Sequence, residues 1–273
     1  MANSSFWAKQ PPVGSVLNAS HPQSHGCVGA WTFNEGGGPS VRDASGNRNT
    51  GTLTNGPVWG QAPLYGTAIS FDGTDDYVDV GNNASLTFDG TLKFSLCFWA
   101  KGSSSQTSGA GVIAKGNGGG GEQYVIDVAS NLYRFYTRDS GGGVGSNISA
   151  AVGPNNTLQF VVGTFDNSRN LVVLYVNGIS AATGTTGGSL QATTHITSVG
   201  ARQSAGAGYD LAYLGFINNV RIYNRALLHQ EVQALYAYPY IDYLLPRRRN
   251  IVQQAAGASI VPILQSYARR RHL

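Results

Sequence analysis

Lys93-Phe94-Ser95-Leu96-Cys97-Phe98-Trp99 decides the fold class. Phe94, Leu96 and Phe98 alternate with smaller residues, and a period of two sends successive side chains to opposite faces of a strand. The same device recurs on both sides of it. Upstream, Val28-Gly29-Ala30-Trp31-Thr32-Phe33 puts Trp31 and Phe33 on one face, and Ala68-Ile69-Ser70-Phe71 repeats it. Downstream, strands are expected at residues 112–114, 123–128, 132–137, 158–165, 171–176, 196–200 and 215–223, all read as half-buried antiparallel strands. Asn177-Gly178 reads as a type I′ turn after the strand ending at Val176, since both positions tolerate positive φ.

Composition agrees with this reading. The chain is 41% hydrophobic but only 12% charged, with three glutamates and 37 glycines, which suits short strands and turns rather than long helices. One body segment, residues 227–236, reads as helix, with Leu228, Val232, Leu235 and Tyr236 on a stripe. The expected architecture is all-β, a two-sheet antiparallel jelly-roll sandwich with one short C-terminal helix and extended arms. The expected division is an N-terminal arm over 1–26, a domain over 27–239 and a basic, apolar C-terminal arm over 240–273. Residues 1–26 hold Pro11, Pro12 and Pro22 and no cationic stretch followed by an apolar run, so no signal peptide is read. No apolar run reaches the roughly 20 residues a membrane helix needs, so no membrane partner is expected. Cys27 and Cys97 each lie in an apolar strand-like segment and read as small buried hydrophobes, a disulfide being the alternative.

Several motifs resemble a known family. Gly29 to Gly36 with Asp43-Ala44-Ser45-Gly46-Asn47-Arg48-Asn49, then Phe71-Asp72-Gly73 with Asp76-Tyr77-Val78, are similar to the laminin-G-like, concanavalin A-like lectin and glucanase jelly roll. So are Leu174-Tyr175-Val176-Asn177-Gly178 and the closing Val220 to Leu227 followed by Glu231 and Leu235-Tyr236. Asn218-Asn219 stand where the family usually shows an acidic pair, and Leu228 where it usually caps the helix with serine, which predicts a weakened N-cap. The polar N-terminal arm, the Tyr238-Pro239-Tyr240 exit and the Pro246-Arg247-Arg248-Arg249 tail further resemble laminin-G-like proteins encoded among tailed-phage structural genes.

Catalytic patterns are lacking. Related glucanases on this jelly roll place two glutamates and an aspartate at alternate positions of one strand, whereas Tyr124-Val125-Ile126-Asp127-Val128 offers Asp127 alone. His21, His25, His195, His229 and His272 show no metal-ligand spacing supported by a helix, and no nucleophile elbow or phosphate loop occurs. The chain is expected not to be an enzyme. Asp43, Ser45, Asn47 and Asn49 space oxygen-bearing side chains two residues apart, a pattern that fits calcium or, alternatively, a turn capped by its own side chains.

Two functions remain. Carbohydrate recognition follows from the resemblance, with Tyr209 and Asp210 as candidate contacts because Tyr209 lies outside any alternation, and Tyr133 or Tyr136 as further aromatic candidates. The expectation placed first is a virion structural protein, a capsid decoration or cement protein assembled in the host cytoplasm. It rests on charge: residues 240–273 carry six arginines against one aspartate, and residues 1–239 carry 12 basic and 13 acidic side chains. Arg247, Arg248, Arg249, Arg269, Arg270 and Arg271 flank the apolar Ile260, Ile263, Leu264 and Tyr267, a segment suited to docking on shell subunits or on neighbouring copies, as in a trimer. Nucleic acid ranks last, because the body has no basic stripe.

Overall fold

The computed structural model describes residues 9–62, 66–90, 93–206 and 208–244. They form two facing sheets, antiparallel apart from one parallel bridge between Ala212 and Gly111. In hydrogen-bonded order the first sheet runs Ile179–Gly184, Leu171–Val176, Gln159–Asp166, Lys93–Gly102, Leu214–Tyr223, Gly66–Asp72 and Val58–Ala62, and Cys27–Trp31 also pairs with Leu214–Tyr223. The second runs Val144–Ser149, Leu132–Arg138, Gly121–Ala129, Ala110–Asn117, Thr197–Val199, Tyr77–Gly81, Gly51–Thr54 and Ser40–Val41. Two short strands, Ala201–Arg202 and Leu211–Ala212, join it beside Ala110–Asn117. This is the expected sandwich, and the helix forms over His229–Ala237. Asn177 and Gly178 both take positive φ, at 53° and 79°, as the hairpin turn requires.

Phe94, Leu96 and Phe98 face the space between the sheets. Phe94 sits at its centre, with ring centroids 5.0 Å from Phe88, 5.4 Å from Tyr124 and 5.1 Å from Phe165. Fully burying such a side chain contributes about 1.5–3 kcal/mol. The half-buried expectation fails for the first sheet, whose other face is also covered. There Cys97, Trp99, Phe160, Val162, Val173 and Tyr175 form a second apolar cluster with Val232 and Leu235 of the helix and with Leu17, Tyr240 and Tyr243 from the segments before and after the two sheets. Cys27 and Cys97 are both buried here as free thiols, and burial pushes the Cys27 thiol up to about 12.

The segment expected to open the C-terminal arm is held on this face as far as Tyr243. Asp242 is 0% exposed and pairs at 2.8 Å with Arg221, itself 2% exposed. Arg221 also donates to the Pro239 carbonyl, and Asp242 accepts from Ser24 Oγ at 3.1 Å. Asn218 and Asn219, in place of the family's acidic pair, serve the same segment: Asn218 Oδ1 accepts from the Tyr240 hydroxyl at 2.9 Å and Asn219 Nδ2 donates to the Pro239 carbonyl at 3.1 Å. Val16–Leu17 then pairs antiparallel with Tyr243–Leu244. At the helix start Leu228 offers no capping side chain, and Glu231 supplies the cap from inside by accepting the Leu228 amide at 2.8 Å. Burial pushes the Glu231 carboxyl up, but the Arg225 fork at 2.7 and 2.8 Å and that amide outweigh it and hold it below its ordinary value.

Candidate functional site

The outer face of the second sheet gathers charge. Along Gly121–Ala129, Tyr124, Ile126 and Val128 enter the core, and strict alternation would send Glu122 with them. The ladder shifts instead: Glu122 lies opposite Gly116 and Tyr124 opposite Lys115, so Gln123 is an extra residue. That bulge reverses the parity and puts Glu122 on the same face as Asp127. It needs a glycine across from it. Gly116 has φ +110°, and a Cβ there would stand 2.2 Å from the Gly121 carbonyl oxygen.

On the neighbouring strand Tyr133 and Phe135 are core residues, so Arg134, Tyr136 and Arg138 face outward, while Arg202 reaches in from its own short strand. Asp127, 0% exposed, accepts Arg134 Nε at 2.9 Å and lies 3.4 Å from Arg202 Nε. Glu122 takes Arg138 Nε at 3.2 Å, Arg202 Nη1 at 3.3 Å and the Tyr136 hydroxyl at 3.0 Å. The Tyr136 ring lies under three guanidinium carbons, Arg134 at 4.8 Å, Arg138 at 5.8 Å and Arg202 at 6.0 Å. Burial pushes its phenol well up, and the Asp127 carboxylate raises the Arg134 guanidinium above its already high value. The result is a fixed cluster of three cations and two anions at the floor of an open cleft of about 350 Å³, bordered by Gly118, Gly119, Asn147, Ser204 and Leu211, within the size range of small-ligand sites.

Of the expected contact residues Tyr136 alone lines this cleft. Tyr209 is half-buried rather than free, its ring stacked on Tyr77 at 4.1 Å with 15° between planes, and burial raises its phenol, helped by Tyr77 and Asp79. Asp210 beside it is exposed. Their loop also supplies Ser204 and Leu211 to the cleft wall. Tyr133 is fully buried, which removes it as a platform, and Tyr136 serves as the floor beneath the arginines. Asp43, Ser45, Asn47 and Asn49 do converge, and their side chains cap the turn. Asp43 Oδ1 accepts the amides of Ala30 and Ser45 at 2.9 and 2.8 Å, and Oδ2 accepts Ser45 Oγ and the Asn49 amide at 2.8 and 3.0 Å. Ser45, Asn47 and Asn49 turn their donors onto the Val28 carbonyl. A cation would have to displace these donors. Among the described residues, three carboxylates approach one another at Asp72, Asp75 and Asp76, with oxygens within 4.8 Å. There Asp76 and Asp72 accept the amides of Asp72 and Thr74, and burial leads in raising the Asp76 carboxyl. The docking residues Arg247, Arg248, Arg249, Ile260, Ile263, Leu264, Tyr267, Arg269, Arg270 and Arg271 lie outside the described residues.

The cleft's two carboxylates are both committed to donors. A glycosidase needs one carboxyl that carries a proton to the glycosidic oxygen and another open to the sugar or to water. Here both carboxylates are filled by donors: Arg134 and Arg202 on Asp127, and Arg138, Arg202, Tyr136 and the Gly120 amide on Glu122.

The sequence model of the concanavalin A-like lectin/glucanases superfamily matches residues 72–233. The chain belongs to that superfamily. No curated protein sequence matches it. Among solved structures it is similar to the binding domain of Paraclostridial Mosquitocidal Protein 1, with TM-score 0.61 and 15% identity over 78% of this chain and 52% of that one. It is also similar to domain 4 of AbnA, an extracellular arabinanase from Geobacillus stearothermophilus solved with arabinotriose, with TM-score 0.57 and 16% identity over 77% and 98%. A third is the Trypanosoma rangeli sialidase, with TM-score 0.55 and 15% identity over 77% of this chain and 32% of the other. The chain thus spans about half of the mosquitocidal binding domain's length and nearly all of the arabinanase domain's. At these identities the likeness is one of fold.

Sequence reasoning missed Glu122, Arg134, Arg138 and Arg202. The alternation of Arg134, Tyr136 and Arg138 against Tyr133 and Phe135 was present in the strand expected at 132–137. Nothing local marked Arg202 or the bulge that turns Glu122 outward.

Proposed function

We propose that the chain is a non-catalytic carbohydrate-binding module that holds its ligand on the outer face of the second sheet, between the arginine-lined cleft and the Tyr77–Tyr209 pair. The observation that carries this is the Arg134, Arg138, Arg202 and Tyr136 cluster, a preorganised set of polar donors in an open depression, on a fold shared with domains that bind sugars. Guanidinium N–H groups around a rigid floor suit sugar hydroxyls and ring oxygens, and the half-buried Tyr209, in the loop that gives the cleft Ser204 and Leu211, offers apolar surface for a ring's C–H face. The superfamily and the likeness to an arabinotriose-binding domain support sugar binding better than capsid decoration. The decoration reading depends on the terminal arms, 1–26 and 240–273, and no feature of the two sheets favours it.

Glycan-array binding by the full chain tests the proposal. Binding should occur and should fall at least tenfold in both Tyr209→Ala and Arg138→Gln, each with an unchanged melting temperature. Full retention in both variants, or release of shortened sugars from a bound glycan, would refute it.

A further inference from the structure

Resting on that reading, we infer that the ligand carries a negatively charged substituent on its sugar ring, a carboxylate or a sulfate ester, and that the outer edge of the Arg138 guanidinium receives it. The charge balance of the cleft comes first. Arg134, Arg138 and Arg202 supply three positive charges and Glu122 and Asp127 two negative ones, so one positive charge is left without an internal counterpart.

The donor inventory says where that charge is available. A guanidinium has five N–H donors in a planar fork. Arg134 spends Nε and Nη2 on Asp127. Arg202 spends Nε on the Gly109 carbonyl and Asp127, and Nη1 on Glu122. Arg138 gives only Nε, to Glu122. Its Nη1 and Nη2 meet no acceptor among the described residues, and its side chain is 24% exposed at the rim. Two adjacent Nη donors, held in plane by the Nε bond and by the Tyr136 ring beneath, match the two oxygens of a carboxylate or sulfate.

The nearby carboxylates are engaged elsewhere at three of their four oxygens. Glu122 is already filled by four donors, and one oxygen of the neighbouring Asp139 is turned onto the amides of Gly141 and Gly143. Gly118 and Gly119 border the cleft with Arg138 and carry no side chain to fill it. A long polyanion fits worse than a compact one. Residues 1–239 carry 12 basic and 13 acidic side chains, so a phosphate backbone leaving the cleft would meet a surface with no excess of positive charge.

The test is an array, followed by calorimetry on the full chain, of matched glycans: uronic-acid oligosaccharides, their methyl esters, sulfated glycans and their unsulfated parents. An acidic or sulfated member should bind about 10- to 100-fold tighter than its neutral match, and raising NaCl from 50 to 500 mM should narrow the gap. Arg138→Gln should bring the ratio to within about threefold of one, and Arg138→Lys, which keeps the charge but loses the fork, should fall between. Neutral glycans bound as tightly as charged ones, with Tyr209→Ala still weakening them, would overturn the charge inference and leave the module intact. A charge preference unchanged in Arg138→Gln would overturn the assignment to Arg138. Binding of no glycan at all would overturn both the inference and the function beneath it.

Discussion

Asp242→Asn should be among the most damaging single substitutions in the protein, although Asp242 lies two residues past Tyr240, where sequence composition alone places an arm. Its carboxylate is fully buried, 2.8 Å from a guanidinium that is 2% exposed. Removing one partner of such a pair leaves the other charged in a medium that solvates it poorly, which costs about 3–5 kcal/mol. Arg221 keeps other acceptors, the Pro239 carbonyl, Asn219 Oδ1 at 3.3 Å and the Tyr223 hydroxyl at 3.3 Å, together with the Tyr243 ring 5.2 Å away. These place the loss near the lower end, about 3 kcal/mol. For a chain of this size each kcal/mol moves Tm by roughly 2–4 °C, so calorimetry should show a fall of about 6–12 °C. The double variant Arg221→Met with Asp242→Leu should recover most of it, since replacing a whole buried pair by apolar groups is often neutral. Amide exchange should quicken first in the Val16–Leu17 and Tyr243–Leu244 ribbon. A loss below about 1 kcal/mol in Asp242→Asn, or a double variant as unstable as the single one, would refute the claim that this pair bolts the segments around Ser24 and Pro239 to the first sheet.

Three further outcomes follow from named contacts. Lys115 is fully buried, with Asn82 Oδ1 at 2.9 Å and the His195 carbonyl at 3.0 Å as acceptors, and burial pushes its ammonium down from 10.5 to about 8. The unfolded chain therefore binds more protons than the folded one between about pH 8 and 10.5. Lys115 by itself should raise stability with pH there, by at most about 3 kcal/mol, while Cys27 and Cys97, whose thiols burial pushes up from 9.0, oppose it; urea unfolding from pH 7.5 to 9.5 should therefore show stability falling in Lys115→Met and held up relative to it in the native chain. The window stops short of pH 10, above which the buried tyrosines, whose phenols burial raises, begin to oppose the trend. Gly116→Ala should lower stability by about 1–3 kcal/mol and abolish glycan binding together, because the added carbon meets backbone at the bulge that aims Glu122; normal binding would refute the bulge's role. Asp43→Ala should cost about 2–4 kcal/mol by stranding the amides of Ala30, Ser45 and Asn49, with the same melting temperature in calcium and in chelator; a calcium-dependent difference would restore the ion reading.

The sandwich was legible because its evidence is local. Phe94, Leu96 and Phe98 carry their own period, Asn177-Gly178 specifies its own turn, and the strands expected at 132–137 and 171–176 form with little or no change as Leu132–Arg138 and Leu171–Val176. Burial of both faces of the first sheet was not legible in the same way. Cys97, Trp99 and Tyr175 are covered by Leu17, Val232 and Tyr243 from distant parts of the chain, and an apolar residue on the second face of a strand reads alike whether water or a helix lies over it. Gly51–Thr54 and Val144–Ser149 went unread because they are short and polar, and pairing with neighbours rather than their own pattern makes them strands.

The candidate site was hidden by a sharper version of the same problem. Periodicity assigns faces by counting residues, and an inserted residue makes the count wrong for everything beyond it. Counting from Tyr124 sends Glu122 into the core and leaves Asp127 alone, the pattern of a structural aspartate. With Gln123 bulged, the two carboxylates share a face and Arg202 bridges them at 3.3 and 3.4 Å. The same break recurs at Asn219, whose φ of 45° lies within the register shift between Asn218 and Arg221, so that Arg221 meets Asp242 while Val220 and Ile222 stay in the core. Both of these charged clusters thus arise where a strand loses its period. Regular β-structure puts an ion pair of this size inside only by giving up a core position. A bulge supplies an extra residue instead, and the charge is buried or aimed without removing any apolar side chain from between the sheets.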